Sequence, residues 1–99
     1  MEVKFLKLAQ AEFDDAVVAY ESEQPGLGKR FRGEVLRSVS RIIEFPSAYQ
    51  ELSQSIRRCL IAKFPYAIIY HHDLDQSEIL IVAVGHLHRR PDYWTSRES

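Results

Sequence analysis

The first half of the chain alternates apolar and polar residues in two different periods. Residues 2–8 (EVKFLKL) begin with apolar side chains at every second position, as in a half-buried strand. Residues 9–23 and 27–44 repeat apolar side chains every three to four positions, which predicts two amphipathic helices. A Pro-Gly pair separates the two, so they should pack as an antiparallel hairpin. On the first helix, Glu12 falls among the acidic residues of the predicted solvent face.

The second half is rich in Ile, Val and Tyr, which predicts strands. Three such runs span residues 56–62, 66–72 and 78–87. Their short links imply antiparallel pairing. Residues 47–55 are polar and are expected to be irregular, and the tail after Trp94 is expected to fray.

Together these elements predict one domain over residues 1–99, with the order β-α-α-β-β-β. Its fold class is α+β, with the helical hairpin packed on one face of a small, twisted, mainly antiparallel sheet. The first strand should join the sheet at an edge or beside the last strand. An exposed sheet edge and an apolar helix stripe would also permit a homodimer.

Charge and cysteine content narrow the classes of function. Thirteen Lys and Arg against 14 Asp and Glu give a net charge of −1, unlike proteins that coat nucleic acid by bulk charge. A single cysteine, Cys59, excludes an internal disulfide and suits a reducing compartment. No apolar run approaches the roughly 18 residues of a membrane span, and the N-terminus lacks signal-peptide features. We therefore expect a cytoplasmic protein with no membrane partner.

Motifs for cofactors and metals are absent from the sequence. It contains no phosphate-cradling Gly-rich loop, no HExxH and no cysteine-based metal framework, so no cofactor is expected. Strict alternation puts His86 and His88 on the same side of the last strand. With His71 and His72 on the neighbouring strand, a metal site is geometrically conceivable. No carboxylate or cysteine is spaced to complete it, so hydrogen-bonded histidine pairs are the favoured interpretation.

A polar and aromatic cluster follows the last predicted strand, near Arg57 and Arg58 of the first of the three strand runs. The cluster comprises His86, His88, Arg89, Arg90, Asp92, Tyr93 and Trp94. Arginines grip anionic oxygens and aromatic rings supply stacking area, so the cluster could bind a phosphate backbone or an acidic protein. It could equally be a C-terminal cap, with Tyr93 and Trp94 on the core and Asp92 paired with an arginine. Both interpretations stay open, and they are compatible.

The order of elements and several short motifs resemble the RelE/ParE toxin superfamily of type II toxin–antitoxin (plasmid stabilisation) modules. The motifs are Arg57-Arg58, FPYxIIY from Phe64, AVGH from Ala83, RRP from Arg89, Tyr93-Trp94 and Arg97. They look like the ParE-like branch in particular. The resemblance implies a cytoplasmic toxin neutralised by a cognate antitoxin, whose C-terminal segment wraps the toxin. ParE-like members poison DNA gyrase, whereas RelE-like members cut messenger RNA on the ribosome.

The residues favour gyrase inhibition without enzymatic activity over RNA cleavage. RelE-like nucleases carry an arginine where this chain has Ala67, and a basic residue near His86 and Leu87. The alternatives are a ribosome-dependent, metal-independent mRNA endoribonuclease and a non-toxic partner-binding homologue. In a nuclease, His88 and Tyr93 would be the acid and base candidates, with Arg58 and Arg90 as phosphate clamps. The residues predicted to bind the target or the antitoxin are Arg57, Arg58, His88, Arg89, Arg90, Tyr93 and Trp94.

Overall fold

The structure, a computed structural model, describes residues 1–97. Its elements are β1 (Glu2–Phe5), α1 (Lys7–Glu23), α2 (Leu27–Glu44), β2 (Gln50–Ser53), β3 (Ile56–Leu60), β4 (Tyr66–Asp73), β5 (Glu78–His86) and a 3-10 helix (Thr95–Arg97). The five strands form one sheet in the order β1-β5-β4-β3-β2. β1 runs parallel to β5, and the other neighbours are antiparallel. The predicted α+β class is confirmed, and the first strand does lie beside the last one.

β2 was not predicted, since residues 47–55 were expected to be irregular. All four of its residues are exposed, so the strand carries no alternation of buried and exposed positions. It exists because its backbone pairs with β3 at the end of the sheet, where a strand needs no buried face. A β-bulge between Glu51 and Ser53 interrupts its register.

The main core lies between the helices and one face of the sheet. Phe31 of α2 is fully buried at its centre. Its ring lies 4.9 to 6.2 Å from four other rings, those of Phe13, Tyr20, Phe64 and Tyr66. Aromatic edge-to-face contacts of this kind add to the hydrophobic stabilisation. The apolar stripes predicted from helical periodicity are therefore the surfaces that face the sheet.

A bulge at Val82 changes which face β5 presents. Ile69 of β4 pairs with Ala83 and Tyr70 pairs with Ile81, so Val82 is the extra residue. Ile81 and Val84 consequently belong to the helix-side core, whereas Val82 and Ala83 face the opposite side. The strict alternation expected for this strand, with Val82 and Val84 on one side, was wrong for this reason.

The face of the sheet away from the helices, the open face, carries a second and smaller core. Ile56, Ile69, Val82, Ala83 and Trp94 are buried together there. Trp94 belongs to the C-terminal segment, residues 87–97, which crosses this face after β5. The expected fraying after Trp94 was wrong for residues 95–97, which form the 3-10 helix. Residues 98 and 99 lie outside the described part of the chain.

Within residues 1–97, no helix combines the length and the apolar character that crossing a membrane requires.

Tyr70 gives the fold a specific dependence on alkaline pH. Its hydroxyl is fully buried and donates a 2.6 Å hydrogen bond to the Pro46 carbonyl. Desolvation raises the pKa of Tyr70 from 10.0 to about 12. The folded state therefore holds the phenol proton more tightly than the unfolded state does. The free energy of unfolding should fall as pH rises from about 10 to about 12.

Urea denaturation of the protein and of Tyr70→Phe between pH 8 and 12 tests this prediction. The variant should be less stable by about 1 kcal/mol at pH 8, because it loses the hydrogen bond and leaves the Pro46 carbonyl without it. Above pH 10 its stability should decline less steeply than that of the parent protein. Parallel declines in the two proteins would contradict the assignment to Tyr70.

Candidate functional site

A small cavity of about 110 Å³ opens on the open face, where the N-terminal end of β4 meets the C-terminal end of β5. Its lining comprises Leu52, Arg58, Ala67, Ile69, Gly85, His86, Leu87, Arg89, Arg90, Pro91, Tyr93 and Trp94. We call this cavity the open-face pocket. It unites most of the cluster that the sequence singled out with the matching end of the sheet.

Two of the residues that line the cavity have very small side chains. Ala67 and Gly85 are paired across β4 and β5, and both are buried. Trp94 forms part of the wall and is fixed by a 2.8 Å hydrogen bond from its indole N–H to the Pro91 carbonyl. Ala67 and Gly85 therefore contribute no charged group to the pocket.

Tyr93 folds back directly onto Gly85. A Cβ atom at position 85 would overlap the Tyr93 hydroxyl, so only glycine permits this contact. The guanidinium carbon of Arg89 lies 3.8 Å from the centre of the tyrosine ring. Burial raises the pKa of Tyr93, and the nearby Glu12 carboxylate adds to the effect. The phenol is thus held neutral and packed.

Glu12 of α1 ties the C-terminal segment to the helical layer. Its two carboxylate oxygens accept hydrogen bonds from Arg97 at 2.7 and 2.9 Å and from Arg89 at 2.7 Å. One of them also accepts the Val84 backbone N–H at 3.0 Å. The side chains of Glu12 and Arg97 are 16% and 11% exposed, so solvent screens this pair weakly. The hydrogen bonds that Arg97 donates to Glu12 also raise the pKa of Arg97.

This network divides the cations of the site into two groups. Arg89 and Arg97 both pair with Glu12, whose single negative charge offsets one of their two positive charges. Arg58 donates to Gln50 at 2.8 Å, and its Nε is buried with no hydrogen-bond partner among the described residues. Among residues 1–97, no carboxylate lies within 4.0 Å of Arg58 or Arg90. Both line the pocket, so they are the cations available to an incoming anion.

Two of the predicted site residues lie outside the pocket. Arg57 points to the opposite face of the sheet from Arg58 and donates to the Tyr49 carbonyl at 2.8 Å. Strand alternation makes this unavoidable for adjacent residues. His88 is exposed, its ring lies 4.6 Å from that of His86, and its backbone N–H donates to His86 Nδ1.

The cap interpretation matches the observed packing of Tyr93 and Trp94 against the sheet. The prediction that Asp92 pairs with an arginine was wrong. In the described part of the chain, Glu12 pairs with the arginines instead. Helical periodicity had predicted that Glu12 faces solvent. However, Glu12 lies three residues after Ala9 and four before Ala16, both buried, and that spacing borders the buried stripe.

The histidines do not meet in one place. His71 and His72 pair with Leu80 and Ile79, whereas His86 pairs with Tyr66 at the other end of the same two strands. Four residues of β4 lie between Tyr66, the partner of His86, and His71, which corresponds to about 17 Å along the strand. Residues 1–97 contain no group of three or more His, Cys, Asp or Glu that could hold a metal ion.

Glu12→Gln tests whether the carboxylate holds the C-terminal segment. The substitution keeps the size of the side chain but leaves Arg89 and Arg97 without a counter-charge. We expect the free energy of unfolding to fall by about 2–3 kcal/mol, as for the loss of one partner of a largely buried pair. Urea denaturation followed by circular dichroism measures it. Asp15→Asn, at an exposed position on the same helix, should change stability by less than about 0.5 kcal/mol. Equal effects would contradict the assignment.

Gly85→Ala tests the contact with Tyr93. The added methyl group requires the space of the tyrosine hydroxyl, so the ring must move off the sheet. Tyrosine titration by ultraviolet absorbance should then show the pKa of Tyr93 returning toward 10, because its burial is lost. Gly33→Ala is the matched control, since the nearest atom to its added Cβ is at 3.5 Å, at the tip of the flexible Arg37 side chain. An unchanged titration in Gly85→Ala would be evidence against the contact.

The fold is shared with toxins of toxin–antitoxin systems. The solved structure "Chromosomal ParDE TA system from P. aeruginosa" has a TM-score of 0.72 and 16% sequence identity, with 87% of this chain and 95% of that chain covered. The intact E. coli RelBE toxin–antitoxin complex gives 0.69 and 14%, with 89% and 98% covered. The isolated E. coli RelE toxin gives 0.68 and 14%, with 96% and 93% covered. None of the curated proteins matches the chain in sequence.

A family model adds evidence from the sequence itself. The model for the ParE toxin of the type II toxin–antitoxin system parDE matches residues 3–91. The matched region contains both helices, β2 to β5 and all of β1 except Glu2, together with most of the residues that line the open-face pocket. The chain therefore belongs to the ParE toxin family of type II toxin–antitoxin systems.

Proposed function

We propose that this chain is a toxin held inactive by a cognate antitoxin, and that it inhibits DNA gyrase by binding it and does not cleave RNA. Family membership supports the role of toxin. The titles of two similar structures name toxin–antitoxin systems, which supports an antitoxin as the first partner. The choice between gyrase and the ribosome rests on the chemistry of the open-face pocket.

This choice depends on the absence of a charged side chain at Ala67 and Gly85, the paired residues of β4 and β5 that line the pocket. Metal-free RNA cleavage must activate a 2′-hydroxyl, stabilise a crowded phosphate and protonate a leaving oxygen. These steps need a base, an acid and cations around one phosphate. Ala67 and Gly85 contribute none of them at the centre of the pocket.

Of the two predicted acid and base candidates, Tyr93 lines the pocket and His88 does not. Tyr93 is packed on Gly85, and burial disfavours the tyrosinate that a base would require. His88 lies outside the lining, against His86. Arg89 shares the single carboxylate of Glu12 with Arg97, so its guanidinium group is already engaged in an ion pair.

What the pocket does offer suits an acidic protein surface. Arg58 and Arg90 present unneutralised guanidinium groups, which bind carboxylates in a bidentate manner. Leu52 and Leu87 beside them are exposed, 37% and 46% respectively, and provide apolar contact area. A net charge of −1 opposes docking on ribosomal RNA but does not oppose contact with a protein.

The second candidate function is a ribosome-dependent endoribonuclease. It is favoured by one observation, namely that Arg58, Arg90, His86 and Tyr93 all line the same pocket. In this function the two arginines would clamp the phosphate, and His86 would replace His88 as the proton-transfer group. A non-toxic, partner-binding homologue is the third candidate.

Inducing the chain alone in bacteria separates the three. Growth arrest with trapped gyrase–DNA cleavage complexes, intact messages and loss of supercoiling by purified gyrase is the result we expect. Codon-dependent cleavage of messages, read by primer extension, would overturn the gyrase proposal in favour of the endoribonuclease. Normal growth would favour the non-toxic homologue.

The double variant Arg58→Ala/Arg90→Ala tests the role of the pocket in the same assay. We expect at least a tenfold loss of gyrase inhibition, since each charged contact contributes about 1.5–3 kcal/mol. Arg30→Ala, an exposed arginine on α2 with no carboxylate within 4.0 Å in the described chain, is the matched control and should retain inhibition. Equal inhibition by both variants would place the target-binding surface elsewhere.

A further inference from the structure

The open-face pocket concentrates positive charge. Its lining includes three arginines, Arg58, Arg89 and Arg90, in a chain whose net charge is −1. In the described part of the chain, no Asp or Glu belongs to that lining. Arg89 shares the Glu12 carboxylate, whereas Arg58 and Arg90 have no carboxylate of the described residues within 4.0 Å. The pocket therefore suits an anion that comes from another molecule.

The two arginines without a carboxylate partner retain most of their hydrogen-bonding capacity. A guanidinium group carries five N–H donors. Arg58 is half-buried, and it uses one nitrogen, Nη2, to donate to Gln50. Arg90 is exposed at the rim of the same pocket. An oxygen-rich group that enters the pocket therefore meets donors that the free chain leaves unused.

The size of the pocket restricts the anion to a small group. Pockets for small molecules and cofactors usually measure about 300–1,000 Å³. The open-face pocket measures about 110 Å³, which is too little for a nucleotide but enough for the end of one acidic side chain. Binding energy at protein interfaces is often concentrated in this way, with one anchoring side chain of the partner in a pocket.

The tyrosine and the tryptophan of the pocket favour a protein ligand over a nucleic acid. Single-stranded nucleic acids are held largely by bases that stack on open aromatic rings. Trp94 is only 7% exposed. The guanidinium group of Arg89 lies over the Tyr93 ring, and the tyrosine hydroxyl is packed against Gly85. Little ring surface is therefore left for a base, whereas a carboxylate requires only the arginines.

Three exposed leucines, Leu52, Leu60 and Leu87, surround the pocket, and we call them the leucine collar. Leu52 and Leu87 belong to the pocket lining. Leu60 is 56% exposed and pairs with Ala67 across β3 and β4. Residues that pair directly across antiparallel strands point to the same face, so Leu60 lies beside the pocket. Apolar contacts around a charged pair exclude water, which strengthens the pair.

We propose that the open-face pocket binds one aspartate or glutamate side chain of DNA gyrase, presented between apolar residues. The inference rests on the proposed function, which supplies gyrase as the target, and it names the chemical group that the pocket recognises. The carboxylate accepts hydrogen bonds from Arg58 and Arg90, since a pocket of this size brings it within reach of both. The apolar neighbours of the acidic residue contact the leucine collar.

A second copy of this chain is a poorer occupant. The chain does contain an acidic residue between exposed apolar residues, Glu44 between Ile43 and Phe45 at the end of α2. Its insertion into the open-face pocket of another copy would join two different surfaces. Such heterologous contacts give rings or open filaments and not a closed pair. Gyrase is therefore the favoured source of the carboxylate, and the second copy is an outcome of the test.

Zero-length crosslinking tests the inference on the full chain mixed with purified gyrase. Arg90→Lys places a primary amine at the pocket and keeps the positive charge. A carbodiimide activates a carboxylate, and a neighbouring amine then forms an amide bond to it with release of a urea. We expect mass spectrometry to find this bond between position 90 and one Asp or Glu of gyrase. Arg30→Lys, at an exposed position on α2, is the matched control and should not form it.

Each other outcome has a definite meaning. A folded Arg90→Lys protein that inhibits gyrase but forms no such bond from position 90 would overturn this inference and leave the proposed function intact. A bond from position 90 to Glu44 of a second copy would also overturn it, and would assign the pocket to self-association. Absence of gyrase inhibition by the unmodified chain would overturn the proposed function itself.

If Arg90→Lys folds but no longer inhibits gyrase, NMR of the unmodified chain replaces the crosslinking. The probes are the N-acetyl methylamides of glutamate and glutamine, which differ only in the carboxylate or amide that ends the side chain. The Nε–H signals of Arg58 and Arg90 should shift saturably with the glutamate probe alone. The same response to both probes, or a response to neither, would overturn the selectivity for a carboxylate. A stronger response to a dinucleotide monophosphate would assign the pocket to a phosphate backbone.

Leu60→Ser tests the leucine collar in the supercoiling assay. The substitution removes apolar contact area beside the pocket but leaves both arginines in place, so inhibition of gyrase should weaken severalfold. Leu74→Ser is the matched control, because Leu74 is 76% exposed in the turn between β4 and β5, at the far end of these strands from the pocket. Circular dichroism checks that both variants are folded. Equal inhibition by the two variants would overturn the role of the collar.

Discussion

The carboxylate of Glu12 is the interaction on which the arrangement of the C-terminal half depends. It joins α1, the open edge of β5 and the C-terminal segment through four hydrogen bonds, three of them from arginines. A partly buried carboxylate requires such compensation, because its lost hydration must be replaced. The same requirement leaves Arg58 and Arg90 as the unneutralised cations on the rim of the pocket.

The architecture as a whole follows from one mismatch of length. β1 has four residues and β5 has nine, so the sheet cannot be covered evenly on that side. The bulge at Val82 turns β5 where β1 stops, and the same bulge sends Val82 and Ala83 to the open face. The single extra residue thus supplies part of the small second core in which Trp94 is buried.

Helical periodicity, alternation and β-branched runs predicted both helices and four of the five strands, since those elements bury one face or both. β2 was not predicted, because a fully exposed edge strand shows no periodic pattern of apolar residues in the sequence. Alternation failed at Val82, because a bulge depends on partner register and not on residue type. Most of the cluster after β5 lines one pocket, but which of its arginines form ion pairs depends on the position of Glu12, 77 residues away from Arg89.

Trp94 is the one tryptophan of the chain, and it is buried in the small core where the C-terminal segment meets the open face. Its indole is held by a bond within its own segment, to Pro91, and not by the helical layer. The intrinsic fluorescence of the protein therefore reports on the docking of a few residues. An optical signal that shifts before the helices melt would have its origin in this segment alone.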